Sequence, residues 1–239
     1  MDIKHSTALV SGANRGIGRA LVEALLSAGA KKVYAAARNV EKINGFAADG
    51  RVVALPLDVT DERSVLSAAK RADDVTLLIN NAGVLDFGSV LDAPQAAFER
   101  NFAANFYGVL SASRAFTSVI EHNGGGAIVN ILTLVALASM PGLGVYNASK
   151  AAAWSLTQSL RASLSSRKVA VFGVFPGAVD TDMLAGVEMP KTSPVDVAKA
   201  IVAGVANGIE DIFPDPMSTS LYDAWRKDHK AVEKQFAAM

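Results

Sequence analysis

The chain has 239 residues, half of them hydrophobic, and its 23 basic side chains balance its 23 acidic ones. That balance leaves no basic excess for nucleic acid, and the lack of any cysteine excludes disulfides, thiolate metal sites and a cysteine nucleophile. Only His5, His122 and His229 could supply imidazole, and their scatter argues against a metal cluster or a serine–histidine hydrolase, so no metal is expected.

The first apolar run, Thr7 to Ser11, reads as a strand, and a glycine turn leads from it into a helix over Ile17–Ala28. Val33–Ala37 reads as a second strand, with a short helix after Asn39. Arg51–Leu57 and Val75–Asn80 read as strands on either side of a helix over Asp61–Ala72. Gln95–Ile120 is mostly helical, Ala127–Leu132 a strand, Val145–Leu164 a helix and Val169–Phe175 a strand. The strands are continuous apolar runs, as expected when helices cover both faces of a parallel sheet. Strand–helix alternation of this kind implies a doubly wound α/β sheet of the Rossmann type in a single domain, 1–239. Beyond about residue 177 the pattern changes to glycines, prolines, a helix near Pro194–Val205 and a charged final helix, read as a lid and packing segment. Residues 126–145 carry no charge, yet Asn130 and Pro141 interrupt them, so a buried strand and loop is expected there rather than a membrane span. No signal peptide is expected at MDIKHST, and the protein is expected to be soluble and cytoplasmic, without nucleic-acid or membrane partners.

The segment Ser11-Gly12-Ala13-Asn14-Arg15-Gly16-Ile17-Gly18 places three glycines at a strand-to-helix junction. Such a turn lets backbone N–H groups and a helix N-terminus approach a pyrophosphate, which side chains would block. A dinucleotide that lacks a 2′-phosphate is usually held by a carboxylate at the end of the second strand. Here that end reads Ala36-Ala37-Arg38, and Arg15 sits in the glycine loop. Two guanidiniums without a carboxylate suit the 2′-phosphate of NADP(H) over NAD(H). Asp58 could accept from an adenine amino group or cap the helix that begins at Asp61.

Tyr146 and Lys150 lie four residues apart in Tyr146-Asn147-Ala148-Ser149-Lys150, which places them on one helical face. An ammonium beside a phenol favours the phenolate and lowers its pKa, so the pair can act as acid for a carbonyl or base for an alcohol.

Taken in order, the glycine loop, Asn80-Asn81-Ala82-Gly83, Asn105 in Asn105-Phe106-Tyr107-Gly108, Tyr146-x-x-x-Lys150 and Pro176-Gly177 with Thr181 four residues on resemble the short-chain dehydrogenase/reductase family over residues 7 to about 183. The resemblance implies Tyr146 as acid/base, Lys150 lowering its pKa and holding the nicotinamide ribose, and Asn105 positioning a proton-relay water. It implies a cofactor lining of Gly12, Asn14, Arg15, Gly16, Ile17, Gly18, Arg38, Asp58, Val59, Asn81, Ala82, Gly83, Tyr146, Lys150, Pro176, Gly177, Val179 and Thr181. The family's usual serine, thirteen residues before the tyrosine, is Thr133 here. Threonine keeps the hydroxyl for an oxyanion while its methyl crowds the site; Ser139 is the alternative hydroxyl.

Substrate walls are expected from Leu134, Val135, Met140, Leu143, Ala178, Met183, Leu184, Val187 and Met189, with Lys191 the nearest cation. An uncharged, fairly lipophilic aldehyde, ketone or secondary alcohol suits that lining. Reduction of a 3-oxoacyl group on a carrier protein and non-catalytic NADP sensing are the alternatives. A homodimer or homotetramer is implied, with Phe102, Phe106, Phe116 and Trp154 as interface candidates. The tail after Ile212 gives no strand-pairing pattern.

Overall fold

The computed structural model describes residues 1–44 and 49–239. Seven strands form one sheet: β1 (Thr7–Ser11), β2 (Lys32–Ala37), β3 (Val52–Pro56), β4 (Leu77–Asn80), β5 (Gly126–Ile131), β6 (Val169–Val174) and β7 (Asp211–Ile212). They are all parallel, in the order β3-β2-β1-β4-β5-β6-β7. The helices are α1 (Gly16–Ser27), α2 (Glu41–Asn44), α3 (Glu62–Arg71), α4 (Gln95–Phe102), α5 (Gly108–His122), α6 (Gly144–Leu164), α7 (Pro194–Ala206), α8 (Pro216–Lys227) and α9 (His229–Ala237).

Strand periodicity divides the core into two layers. Ala8, Val10, Leu77, Ile79, Ala127, Val129, Phe172 and Val174 face α1 and α7, while Leu9, Leu78, Ile128, Val169 and Val171 face α3, α5 and the C-terminal part of α6. Both faces are therefore buried, which is why the strands read as unbroken apolar runs. Two buried asparagines interrupt them on the side of the second layer, Asn80 in β4 and Asn130 in β5. Asn80 Nδ2 donates to Asn130 Oδ1 at 2.9 Å, and Asn130 Nδ2 donates to Thr157 Oγ1 at 3.0 Å, tying β4 and β5 to α6. Each is satisfied, as buried polar groups must be.

Within the segment read as lid and packing, residues 194–206 pack: Val197, Ala198, Ile201 and Val205 are fully buried in the layer shared with α1. The sequence does not mark β7, whose two residues pair with Gly173 and Val174. It is too short to show a period of its own. The long helical stretch from residue 95 also has a break: Ala103–Tyr107 is a π-helical turn between α4 and α5. Strand order reverses between β1 and β4, so the loops leaving their C-terminal ends part there and open a crevice.

Candidate active site

A cleft of about 910 Å³ runs along the C-terminal edge of the sheet. At one end is the glycine loop. Gly12 and Gly16 have φ of 67° and 51°, the left-handed region that favours glycine. A Cβ on Gly18 would collide with the Gly12 carbonyl oxygen, so the turn closes only without side chains. The first turn of α1 holds no acidic residue, and its N-cap residue Arg15 makes no side-chain cap. Its N–H groups are therefore available to an anion. Asn81 Nδ2 donates to the Ser11 and Gly12 carbonyls at 2.8 and 3.3 Å, locking the glycine turn to the loop after β4.

The sequence-predicted cofactor residues all line this cleft. Their partners refine the expectations. Arg15 forms an ion pair with Asp182 at 3.1 Å, across the mouth of the cleft. Arg38 is exposed and has no ion-pair partner within 4.0 Å among the described residues. Asp58 does not cap α3; Asp61 does, while Asp58 accepts from Thr60 N and Oγ1 at 2.9 and 2.7 Å. Burial works to raise the Asp58 pKa, but the Thr60 hydrogen bonds and the charge of Arg38 outweigh it and hold the carboxyl below its usual value.

Further along, α6 carries Tyr146 and Lys150 into the cleft, and the segment after β5 brings Thr133 opposite them. All three are less than a tenth exposed. Thr133 Oγ1 accepts from Val135 N at 3.4 Å and donates to the Pro176 carbonyl oxygen at 3.5 Å. Lys150 Nζ donates to the Ile131 carbonyl at 2.7 Å and stands 5.9 Å from the centre of the Tyr146 ring. No other hydrogen bond holds that ammonium among the described residues, so donors remain for a ligand.

The lowered tyrosine pKa expected from sequence is not what this arrangement produces. Burial raises Tyr146 to about 12, opposed by the hydrogen bond from Thr133, and burial lowers Lys150 to about 8. Desolvation disfavours the charged form of both groups, and the ammonium is turned to a backbone carbonyl rather than to the phenol.

Asn105 stands behind Gly83, where a Cβ would lie 2.8 Å from its Oδ1. It is fully buried on the π-helical turn and does not line the cleft. Its Oδ1 accepts from Val84 N at 3.0 Å, and its Nδ2 donates to Val84 O and Ser149 Oγ, both at 2.9 Å. It braces the loop after β4 against α6. Ser139 is exposed and absent from the cleft lining, which leaves Thr133 as the hydroxyl beside Tyr146.

Leu134, Val135, Met140, Leu143, Met183 and Leu184 line the substrate end, as do Ala178, Val187 and Met189. Lys191 turns away, with its Nζ on the Leu184 carbonyl at 2.8 Å. Sequence reasoning missed the opposite wall. Met217, Leu221 and Phe236, from α8 and α9, complete it and belong to the same apolar cluster as Tyr146. Their helical spacing looks like ordinary packing; only chain tracing shows what they pack over. Of the interface candidates, Phe116 is fully buried and Trp154 packs edge-on against Phe175, 4.8 Å between ring centres.

A parallel sheet with an open helix N-terminus at its reversal point, and a buried hydroxyl–ammonium group beside it, defines a dinucleotide-type oxidoreductase architecture. The family described as short chain dehydrogenase matches residues 6–191. The chain belongs to that family. Sorbitol dehydrogenase of Cereibacter sphaeroides is 34% identical over 79% of this chain and 76% of its own. Carbonyl reductase [NADPH] 2 of Sus scrofa is 33% identical over 77% and 75%. Among solved structures, a short chain dehydrogenase from Burkholderia cenocepacia in complex with NADP superposes with a TM-score of 0.94 at 37% identity, covering 99% of each chain. One from Burkholderia phymatum in complex with NAD gives 0.84 at 26% identity, covering 98% and 96%. No described helix is long and apolar enough to cross a membrane.

Proposed function

We propose that this protein is an NADP(H)-dependent oxidoreductase acting on an uncharged, fairly lipophilic ketone or aldehyde, or on the corresponding secondary alcohol. The observation that carries the reading is the burial of Tyr146, Thr133 and Lys150 together at the floor of an apolar cleft whose other end is an uncapped helix N-terminus. The residues present fit a nicotinamide dinucleotide: the α1 N-terminus and crowded glycines suit its pyrophosphate, and the open donors of Lys150 suit a ribose. The cofactor supplies the hydride, or accepts it in the reverse direction.

Tyr146, with its pKa raised to about 12, keeps its proton at neutral pH and can deliver it to the oxygen of a carbonyl as negative charge develops. The Thr133 hydroxyl, turned from the Pro176 carbonyl to the substrate, gives its one proton as a second hydrogen bond to that oxygen. Lys150, when charged, favours the phenolate that the transfer leaves behind. Met140, Met183, Met189, Met217, Leu221 and Phe236 exclude water and bind apolar substituents. That lining offers few partners to the hydroxyls of a polyol, which favours a carbonyl reductase activity over one like that of the sorbitol relative. The preference for NADP(H) rests on Arg38, exposed beside the cleft with no ion-pair partner within 4.0 Å among the described residues. Arg15 is already engaged by Asp182, so Arg38 carries the preference.

The test is oxidation of NADPH, with NADH in parallel, against uncharged ketones and aldehydes of graded size and a polyol run in reverse. NADPH-dependent reduction of the apolar carbonyls is expected, with activity kept in Thr133→Ser and lowered roughly tenfold to a thousandfold in Thr133→Ala. Tight NADPH binding without turnover of any compound would overturn the reading in favour of a cofactor-sensing protein.

A further inference from the structure

We propose that Asp215, at the start of α8, is a positioning residue that sets the Thr133 hydroxyl through the Pro176–Gly177 peptide plane. Asp215 is 4% exposed, and no ion pair among the described residues offsets its carboxylate. Its two oxygens divide their work. Oδ1 accepts from Ser218 N at 2.9 Å and caps α8; Oδ2 accepts from Gly177 N at 2.8 Å, from the loop after β6. A helix cap requires only the first of these. The second reaches across 38 residues of sequence to a segment that lines the cleft.

The consequence follows from peptide geometry. The Gly177 N–H and the Pro176 C=O belong to one planar unit, so turning one end turns the other. The Pro176 oxygen is held in its turn by Leu134 N at 3.0 Å and by Thr133 Oγ1 at 3.5 Å. Asp215 therefore grips one edge of a plate whose other edge contacts the hydroxyl beside Tyr146. The plate has no slack on its open side. A Cβ on Gly177 would stand 2.8 Å from Asp215 Oδ1 and 3.1 Å from both Leu134 Cδ2 and Met217 Cβ. The same carboxylate also fixes where α8 begins, and with it the Met217–Leu221 wall. One buried side chain thus ties the substrate wall to the reacting hydroxyl.

This inference rests on the reading of Thr133 and Tyr146 as the reacting pair, and its test separates the two. Asp215→Asn keeps an oxygen for the α8 cap and turns an amide donor towards the Gly177 N–H. Asp215→Ser caps the helix and is too short to reach Gly177. Three quantities are read for each variant: hydrogen exchange at the Gly177 amide, NADPH affinity with thermal midpoint, and kcat with KM for the best carbonyl substrate. Expected are faster Gly177 exchange, NADPH affinity within about threefold of wild type, and kcat down roughly tenfold to a hundredfold with a smaller change in KM, as for a disturbed oxyanion donor. Unchanged kcat in both variants would overturn the proposal, leaving Asp215 as a helix cap. A loss of kcat that merely tracks lost cofactor affinity and lost thermal stability would overturn it as well. If the wild type turns over no carbonyl, the functional reading fails on its own; Gly177 exchange then decides, and exchange as slow as wild type would sink the role assigned to Asp215.

Discussion

Around the glycine loop the cleft is walled by backbone: Gly12, Gly16 and Gly18 have no room for a side chain, and the open N–H groups of α1 supply the polar surface. Around Tyr146 it is walled by side chains drawn from the segments after β5 and β6 and from α8 and α9. The first region has little latitude, because a side chain on any of these glycines would meet its neighbours. The second can change residue by residue without disturbing the first. The family match reflects this division: it covers residues 6–191 and ends before α8 and α9, which close the substrate wall.

If the two regions are separable, changes in one should leave the other's observable in place. The largest effect is expected for Tyr146→Phe, which removes the transferable proton and should lower kcat about a thousandfold, with NADPH affinity by fluorescence titration unchanged. The converse change is Gly18→Ala. Its methyl meets the Gly12 carbonyl, and overpacking of about 1–3 kcal/mol should weaken NADPH binding by up to roughly a hundredfold. Turnover at saturating cofactor should be affected far less.

A pH profile probes the buried pair directly. With Lys150 at about 8, kcat/KM for carbonyl reduction should fall about tenfold per pH unit above that value, as the ammonium is lost, while Tyr146 stays protonated. The stability signs follow from the same burial. The depressed Lys150 pKa means that the unfolded chain binds more protons between about 8 and 10.5, so this group's penalty fades as pH rises through that window. The raised Tyr146 pKa acts oppositely, and its contribution is lost between 10.0 and about 12. The smallest effect is expected for Arg38→Ala, about tenfold on NADPH affinity with NADH little changed. Equal weakening of both cofactors would remove Arg38 from the 2′-phosphate and blur the boundary between the regions.

Local signals made the glycine loop legible in the sequence, because a strand, a turn and a helix in series carry their own chemistry. Tyr146 and Lys150 were legible because a helix sets their spacing. The tyrosine's pKa was not, since burial and the direction of the Lys150 ammonium depend on Ile131 and Thr133, which helical spacing does not place. The contacts that the Asn105 side chain makes from the π-helical turn, to Val84 and Ser149, were not legible either. Such a turn shifts side chains by a fraction of a helical step, and no composition signal marks it. Nothing in the sequence singled out Asp215, the residue before Pro216. Its second contact, to Gly177, exists only because β6 and β7 lie side by side.

Five of the six methionines, Met140, Met183, Met189, Met217 and Met239, line the cleft, and the sixth, Met1, lies in a groove against α1 and α7. Thioether side chains are flexible and adjust to irregular apolar shapes. Isotopic labelling of the methionine methyl groups would therefore place nearly every probe in the molecule along the cleft proposed to recognise substrate. Resonances from five sites should shift when an apolar carbonyl compound enters, and that of Met1 should hold still as an internal reference. A spectrum of a handful of peaks would screen compounds by occupancy, before any of them is shown to react.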